Sequence, residues 1–201
     1  MITIYEMRDL EENSGISKLS LMENAGRGIF NSIKDRFDLK DKRILVLCYH
    51  GNNGGDGFVA ANHLSDYCEV DILFLGDESR LKDEAKINYE KVLKNIKIQF
   101  FDIAFCDMDS IEFDEYDIIL DAMLGIGVEG DIEEPIYSAI DKFNASRAYK
   151  IAIDVPTGFN PDTGQESNKF INFDLLITLH DIKKGLAKFN DKTVVVDIGI
   201  K

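Results

Sequence analysis

The chain has 201 residues, 45% of them hydrophobic, with 23 Lys and Arg against 37 Asp and Glu and a formal charge of −14. That length and apolar content suit one α/β domain spanning residues 1–201 with a large core. The acidic surface repels phosphate backbones and anionic lipid, which argues against general nucleic-acid or membrane-surface binding but not against a small anionic ligand held by backbone amides.

The first forty residues read as helical, with Met22, Ala25, Gly26, Ile29, Ile33 and Phe37 recurring at three- and four-residue steps on one apolar face. Short β-type runs then follow at Ile44 to Leu47, Val70 to Leu75, Ile96 to Phe101, Ile118 to Leu120, Ile151 to Ile153, Leu175 to Thr178 and Val194 to Ile198. Several lack polar alternation, as expected of strands covered on both faces. Helical patterns lie between some of them, at Phe58 to Asp66, Leu81 to Lys94 and Glu133 to Phe143. Alternation of strand and helix predicts a mostly parallel sheet with helices on both faces, preceded by a helical extension. The acidic segment "FCDMDSIEFDEYD" before Ile118 reads as a solvated connection.

No apolar run reaches membrane-spanning length, and "MITIYEMRDLEENS" is not a signal peptide. Cys48, Cys68 and Cys106 show no CxxC pairing and read as buried small hydrophobes in a reducing, cytoplasmic setting. His50, His63 and His180 lack zinc spacing.

In a parallel sheet the ligand sits beyond the carboxyl ends of the strands. Three loops there combine glycine with an acid: "GNNGGDG" after Leu47, "DAMLGIGVEGD" after Leu120 and "DVPTGFNPDTG" after Ile153. The first has Gly51, Gly54, Gly55 and Gly57, but neither GxGxxG spacing nor a following Lys-Ser or Lys-Thr, so it is neither a dinucleotide fingerprint nor a Walker loop. Free amides opening the Phe58 helix would face an anion. The plainer alternative is a strand-to-helix turn with Asp56 as its cap. Asn52 and Asn53 offer carbonyl oxygens for metal, ligand or backbone, and with Asp121 and Thr157 would suit a hard cation. Asp121 and Asp154, each at a strand end before a Gly-bearing loop, are candidate carboxylates facing one pocket, with Asp121 the first candidate acid/base. Tyr49 and His50 flank the first loop; His63, within a helix, reads as structural.

Together "LMENAG", "GNNGGDGFVAANHL", "DEAKIN", "DAMLGIGVEGDIEEP", "AIDVPTGFNPDTG", "KKGL" and "VVVDIGI" resemble the YjeF N-terminal domain family over nearly the whole chain. The resemblance implies a Rossmann-like three-layer αβα sandwich, commonly a homodimer. It implies an isomerase that interconverts the R and S epimers of NADH or NADPH hydrated at C6. A separate ADP- or ATP-dependent dehydratase, fused in many bacterial relatives, would act next. By resemblance Asn52, Asn53, Gly54, Gly55 and Asp56 contact the hydrated cofactor, as do Gly125, Ile126, Gly127, Val128, Glu129, Gly130, Asp131 and Asp154. One potassium ion per subunit is implied among Asn53, Asp121 and Thr157. Thr157 stands where serine is usual, Tyr49 where glycine is common, and Glu129 where a basic residue is frequent. The competing expectation is a non-catalytic nucleotide-binding or dimerising scaffold of the same fold.

Overall fold

The structure, a computed structural model, describes residues 1–126 and 130–200. Two helices, α1 (Ile4–Asn13) and α2 (Lys18–Lys34), lead into β1 (Arg43–Cys48), α3 (Asn52–Leu64), β2 (Glu69–Phe74), α4 (Asp83–Lys94) and β3 (Ile98–Asp102). Next come β4 (Ile118–Ala122), α5 (Ile136–Ala145), β5 (Tyr149–Ile153), β6 (Leu175–Leu179) and β7 (Thr193–Val196). The strands form one sheet in the order β3-β2-β1-β4-β5-β6-β7, and every neighbouring pair is parallel. All seven predicted strands are present, and the sheet is wholly rather than mostly parallel.

The apolar runs are explained by two cores. Ile44, Val46 and Cys48 of β1 pack with Ile29 of α2, Phe58 of α3 and Tyr89 of α4. Leu45 and Leu47 face the other way, against Ile136, Ile140 and Phe143 of α5. The strand order reverses between β1 and β4. Right-handed crossovers running outward from that point must lie on opposite faces, which is where α3 and α5 are found.

Local chemistry sets the helix ends. Thr3 caps α1 in a reciprocal box with Glu6, and Ser17 caps α2. The helical extension is therefore two helices, and Phe37 lies beyond α2 rather than on its face. Ahead of α1 the chain runs beside the segment after β6: the Ile2 amide donates to Ile182 O at 2.9 Å and the Lys184 amide to Ile2 O at 3.0 Å.

Several boundaries differ from expectation. α3 begins at Asn52, not Phe58, so most of "GNNGGDG" is helix. α4 begins at Asp83, because Leu81 closes a separate 3₁₀ turn. β3 starts at Ile98, leaving Ile96 fully exposed. The acidic segment before β4 is not merely a solvated connection. Its two 3₁₀ turns bury Met108, Ile111, Phe113 and Tyr116 in the second core, at about 1.5–3 kcal/mol for a side chain such as Phe113. Each turn inserts one apolar residue among acids, so no helix or strand period marks it. Of the cysteines only Cys48 is buried; Cys68 and Cys106 are half-buried.

Candidate functional site

β1, β4 and β5 are adjacent, so their three carboxyl-end loops meet, as their sequence positions predict. Beneath them lies a cavity of about 730 Å³, within the size range of small-molecule sites. α1, α2 and α3 close it on one side, and the segment after β4 on the other.

Gly51, not Asp56, is the N-cap of α3. The Gly55 amide donates to Gly51 O at 3.1 Å, so the amides without an intrahelical acceptor are those of Asn52, Asn53 and Gly54. Gly51, Asn52 and Asn53 line the cavity and aim this helix start at it. Two glycines of the loop answer to packing. A Cβ on Gly54 would lie 1.8 Å from the Tyr49 carbonyl oxygen, and one on Gly57 would lie 2.6 Å from Ala122 Cβ. The helix therefore rests directly on the carboxyl ends of β1 and β4.

Asp121 does not reach the cavity. It is fully buried, and its oxygens accept from the Thr157 amide at 2.8 Å, the Thr157 hydroxyl at 2.7 Å and the Met123 amide at 3.2 Å. Burial raises its carboxyl to about 6 against these three donors. Thr157 Oγ1 also accepts from the Leu124 amide at 3.1 Å, and Asn53 donates to Leu124 O at 3.1 Å. Asn53 and Leu124 on the cavity wall and Thr157 and Asp121 behind it thus form one continuous chain. Asn53 Oδ1 is buried there with no hydrogen-bond donor among the described residues.

Asp154 lines the cavity. It sits at φ 59°, in the left-handed region that aspartate tolerates better than most residues. That turn is fixed from two sides: its amide donates to Ile177 O at 2.8 Å, and its carbonyl accepts from the Thr178 hydroxyl at 3.0 Å. Its Oδ1 accepts from the Leu179 amide at 3.1 Å and from the Lys183 ammonium. Lys183 is itself 0% exposed, and also donates to Leu179 O at 3.0 Å and Thr178 Oγ1 at 3.2 Å. This ion pair anchors the carboxylate on the cavity wall.

Asp56 lines the same cavity, 8% exposed and without a hydrogen bond among the described residues. Burial pushes its carboxyl well above the usual range, helped by the charges of Asp154 and Glu11. Tyr49 and His50 line the cavity with their rings 3.8 Å apart. Gly125, Ile126 and Asp131 line it too, while Gly130 is exposed; Gly127, Val128 and Glu129 lie outside the described residues. His63 is structural as expected, bonded to Glu23 at 2.8 Å and stacked on Phe30. Cys48 offers no nucleophile, since burial raises its thiol well above the ordinary value.

Sequence reading missed Glu11, Arg8, Lys18 and Arg80 in the cavity lining, and the pairing of Lys183. Glu11 sits three residues after Arg8 on the amphipathic helix α1, but nothing in its spacing tells a cavity-facing acid from a solvated one.

The fold and site define a doubly wound α/β protein with a ligand-sized, carboxylate-lined cavity at its topological switch point. The chain belongs to the family described as YjeF-related protein N-terminus, whose pattern matches residues 18–185. It is 40% identical over 198 residues to the bifunctional NAD(P)H-hydrate repair enzyme Nnr of Methanothermobacter thermautotrophicus, covering 94% of this chain but only 38% of that protein. It is 34% identical to the NAD(P)H-hydrate epimerase of Nitrosopumilus maritimus over 96% of this chain and 90% of that one. The crystal structure of yeast ynu0, YNL200c, superposes with a TM-score of 0.84 over 97% of this chain and 86% of that chain at 21% identity, which shows the shared fold. No helix among the described residues is long and apolar enough to cross a membrane.

Proposed function

We propose that this chain is an NAD(P)H-hydrate epimerase domain, an isomerase that interconverts the R and S forms of a nicotinamide cofactor hydrated at C6. The observation that carries the reading is the Asp154 carboxylate, pinned by Lys183 on the wall of a ligand-sized cavity that also receives the open N-terminus of α3. Relatives that match this chain at nearly their own full length bear that enzyme's name.

The chemistry follows from the substrate's C6 carbon, which bears both the ring nitrogen and a hydroxyl and is therefore a hemiaminal. Inversion needs the hydroxyl to leave and return through a planar iminium, or the ring to open and close. Either route moves a proton on and off oxygen, the task of a positioned acid/base. Asp121, first choice on sequence grounds, is sealed behind Thr157, so the role passes to Asp154. A nearby carboxylate also stabilises the developing cation. The Asn52, Asn53 and Gly54 amides suit a diphosphate, with the helix dipole behind them. Arg8, Lys18 and Arg80 on the lining add positive charge in an otherwise acidic chain. Asn52 to Asp56, the Gly125 to Asp131 loop and Asp154 make up the proposed binding set.

The residues present also fit a potassium ion. Among the described residues Asn53 Oδ1 is a buried oxygen with no donor and Asp121 a buried carboxylate with no cationic partner, and Thr157 adds a hydroxyl oxygen. An all-oxygen set with a single negative charge suits a hard monovalent cation rather than zinc. When bound, the ion would supply positive charge against Asp121 and order the loops after β4 and β5.

The reading extends to one domain over residues 1–201, to a cytoplasmic setting consistent with three free cysteines, and to an ADP- or ATP-dependent dehydratase as functional partner. The bifunctional name of the longer relatives supports the last.

The test is to incubate the protein with pure R epimer and follow S by chromatography above the uncatalysed background. Conversion that scales with enzyme is expected. Binding without conversion would overturn the reading in favour of a scaffold or sensor.

A further inference from the structure

The geometry points to Glu11, on α1, as a second catalytic acid/base of this cavity, working across the substrate ring from Asp154. The inference rests on the epimerase reading above.

Of the acids that line the cavity, three on separate elements bear on one another: Glu11 on α1, Asp56 on α3 and Asp154 after β5. They are mutually felt. Burial and the Asp154 charge raise Glu11, while Lys183, Arg8 and Lys18 oppose the rise; the charges of Asp154 and Glu11 both bear on Asp56. Among the described residues the ammonium that bears on Asp56 is that of Lys183, already bonded to Asp154. Asp56 is more than nine-tenths buried, lines the cavity and has no hydrogen bond among the described residues. An unpartnered buried acid of that kind costs stability, and a ligand that takes up its bonding capacity would offset the cost. A planar cationic ring bearing a hydroxyl is such a ligand.

Epimerisation adds a requirement that one acid/base does not meet. In the expulsion route the C6–O bond breaks, its electron pair leaves with oxygen, and a carboxylic acid gives the proton that makes the leaving group water. The products of that step are water, a carboxylate and a ring whose nitrogen lone pair has formed the N=C6 bond of the iminium. Inversion is completed only when water adds to the opposite face of C6, and the proton it sheds must pass to a base on that side. One acid and one base are therefore needed on opposite faces, with roles exchanged in the reverse direction. Asp154 comes from the carboxyl end of β5 and Glu11 from α1, so the two reach the cavity from different elements.

α1 is placed to hold Glu11 there. Just ahead of it Ile2 is bonded to Ile182 and Lys184, on either side of Lys183, and Arg8 donates to Ile126 O at 3.4 Å. The helix that carries Glu11 is thus tied to the segment that anchors Asp154.

The experiment compares the wild-type chain with Glu11→Gln and Glu11→Asp in heavy-oxygen water. R-to-S and S-to-R turnover, solvent oxygen at C6, dinucleotide affinity by calorimetry and the melting curve are measured for each. Glu11→Gln is expected to lose turnover on the order of a hundredfold in both directions, with affinity and melting curve kept, while Glu11→Asp retains more activity. The wild type is expected to incorporate solvent oxygen as it inverts. Wild-type turnover with Glu11→Gln within about threefold of it would overturn this inference alone. So would inversion without solvent oxygen, which belongs to ring opening, or a parallel fall in affinity and melting temperature, which belongs to a structural role. A wild type without turnover would instead sink the epimerase reading itself.

Discussion

Asp154 and Lys183 form one ion pair, yet removing either partner should have very different consequences for stability. Lys183 is 0% exposed, whereas the Asp154 side chain is 13% exposed and meets the cavity. In Lys183→Met, every group the lysine touched keeps another partner. Leu179 O still accepts from the Asp181 amide at 2.8 Å, the Thr178 hydroxyl still donates to Asp154 O, and the Asp154 carboxylate keeps the Leu179 amide and gains cavity water. The loss should be about 1–2 kcal/mol, that of one charge-assisted hydrogen bond. Asp154→Asn keeps the shape, the tolerance for φ 59° and an amide oxygen toward Lys183, but leaves the buried ammonium without its counter-charge, solvated only by neutral oxygens. Breaking a buried pair in that way costs roughly 3–5 kcal/mol. The double variant removes both charges and should be more stable than Asp154→Asn alone. Urea unfolding of the ligand-free protein at neutral pH, with the midpoint and slope compared across the four proteins, measures this cycle. A Lys183→Met loss equal to or larger than that of Asp154→Asn, or a double variant below Asp154→Asn, would refute the placement of the charge burial.

Thr157→Val keeps the side-chain volume but removes a proposed cation ligand and a donor to Asp121. Potassium should raise the melting temperature and turnover of the wild type over sodium or choline, and should do neither in this variant. Gly57→Ala places a Cβ 2.6 Å from Ala122 Cβ and 3.0 Å from Cys48 Sγ; overpacking of about 1–3 kcal/mol should appear in urea unfolding, and a neutral result would mean that α3 does not lie against β1 and β4. The Glu6 carboxyl is lowered from 4.5 to about 2, first by the Thr3 amide, then by the Thr3 hydroxyl and Lys184. A depressed acid stabilises the fold fully above its unfolded value and loses that contribution as pH falls through about 2. Protection of the α1 amides, taken relative to intrinsic exchange at each pH, should therefore fall selectively between about pH 4.5 and 2, and Glu6→Gln should show that lower protection already at neutral pH.

The sheet was legible because each strand is a run such as "RILVLC" or "LLITL", apolar on both faces, and only a covered parallel strand uses that composition. Adjacency of the three loops then followed from topology alone. What stayed hidden has a common physical cause. Periodicity reports which face a side chain takes, not how far its polar end is from solvent. Asp121 and Asp154 look alike in sequence, each an acid closing a strand. Yet the first is bonded on all sides behind Thr157, and the second turns into the cavity on a left-handed residue. The glycines of "GNNGGDG" read as ligand contacts, although Gly54 and Gly57 are needed where a helix meets strand ends, and that requirement depends on neighbours distant in sequence. Lys183 and Glu11 show the same limit. A lysine and a glutamate 172 positions apart carry no mark of one another (183 minus 11). Glu11 reaches the cavity wall and Lys183 sits behind Asp154 on the same wall, their segments joined by a two-bond bridge between Ile2 and the stretch after β6. The chemistry of this site is therefore assembled largely by contacts of long sequence separation, and a variant that releases Ile2 should disturb turnover without touching a single residue of the cavity wall.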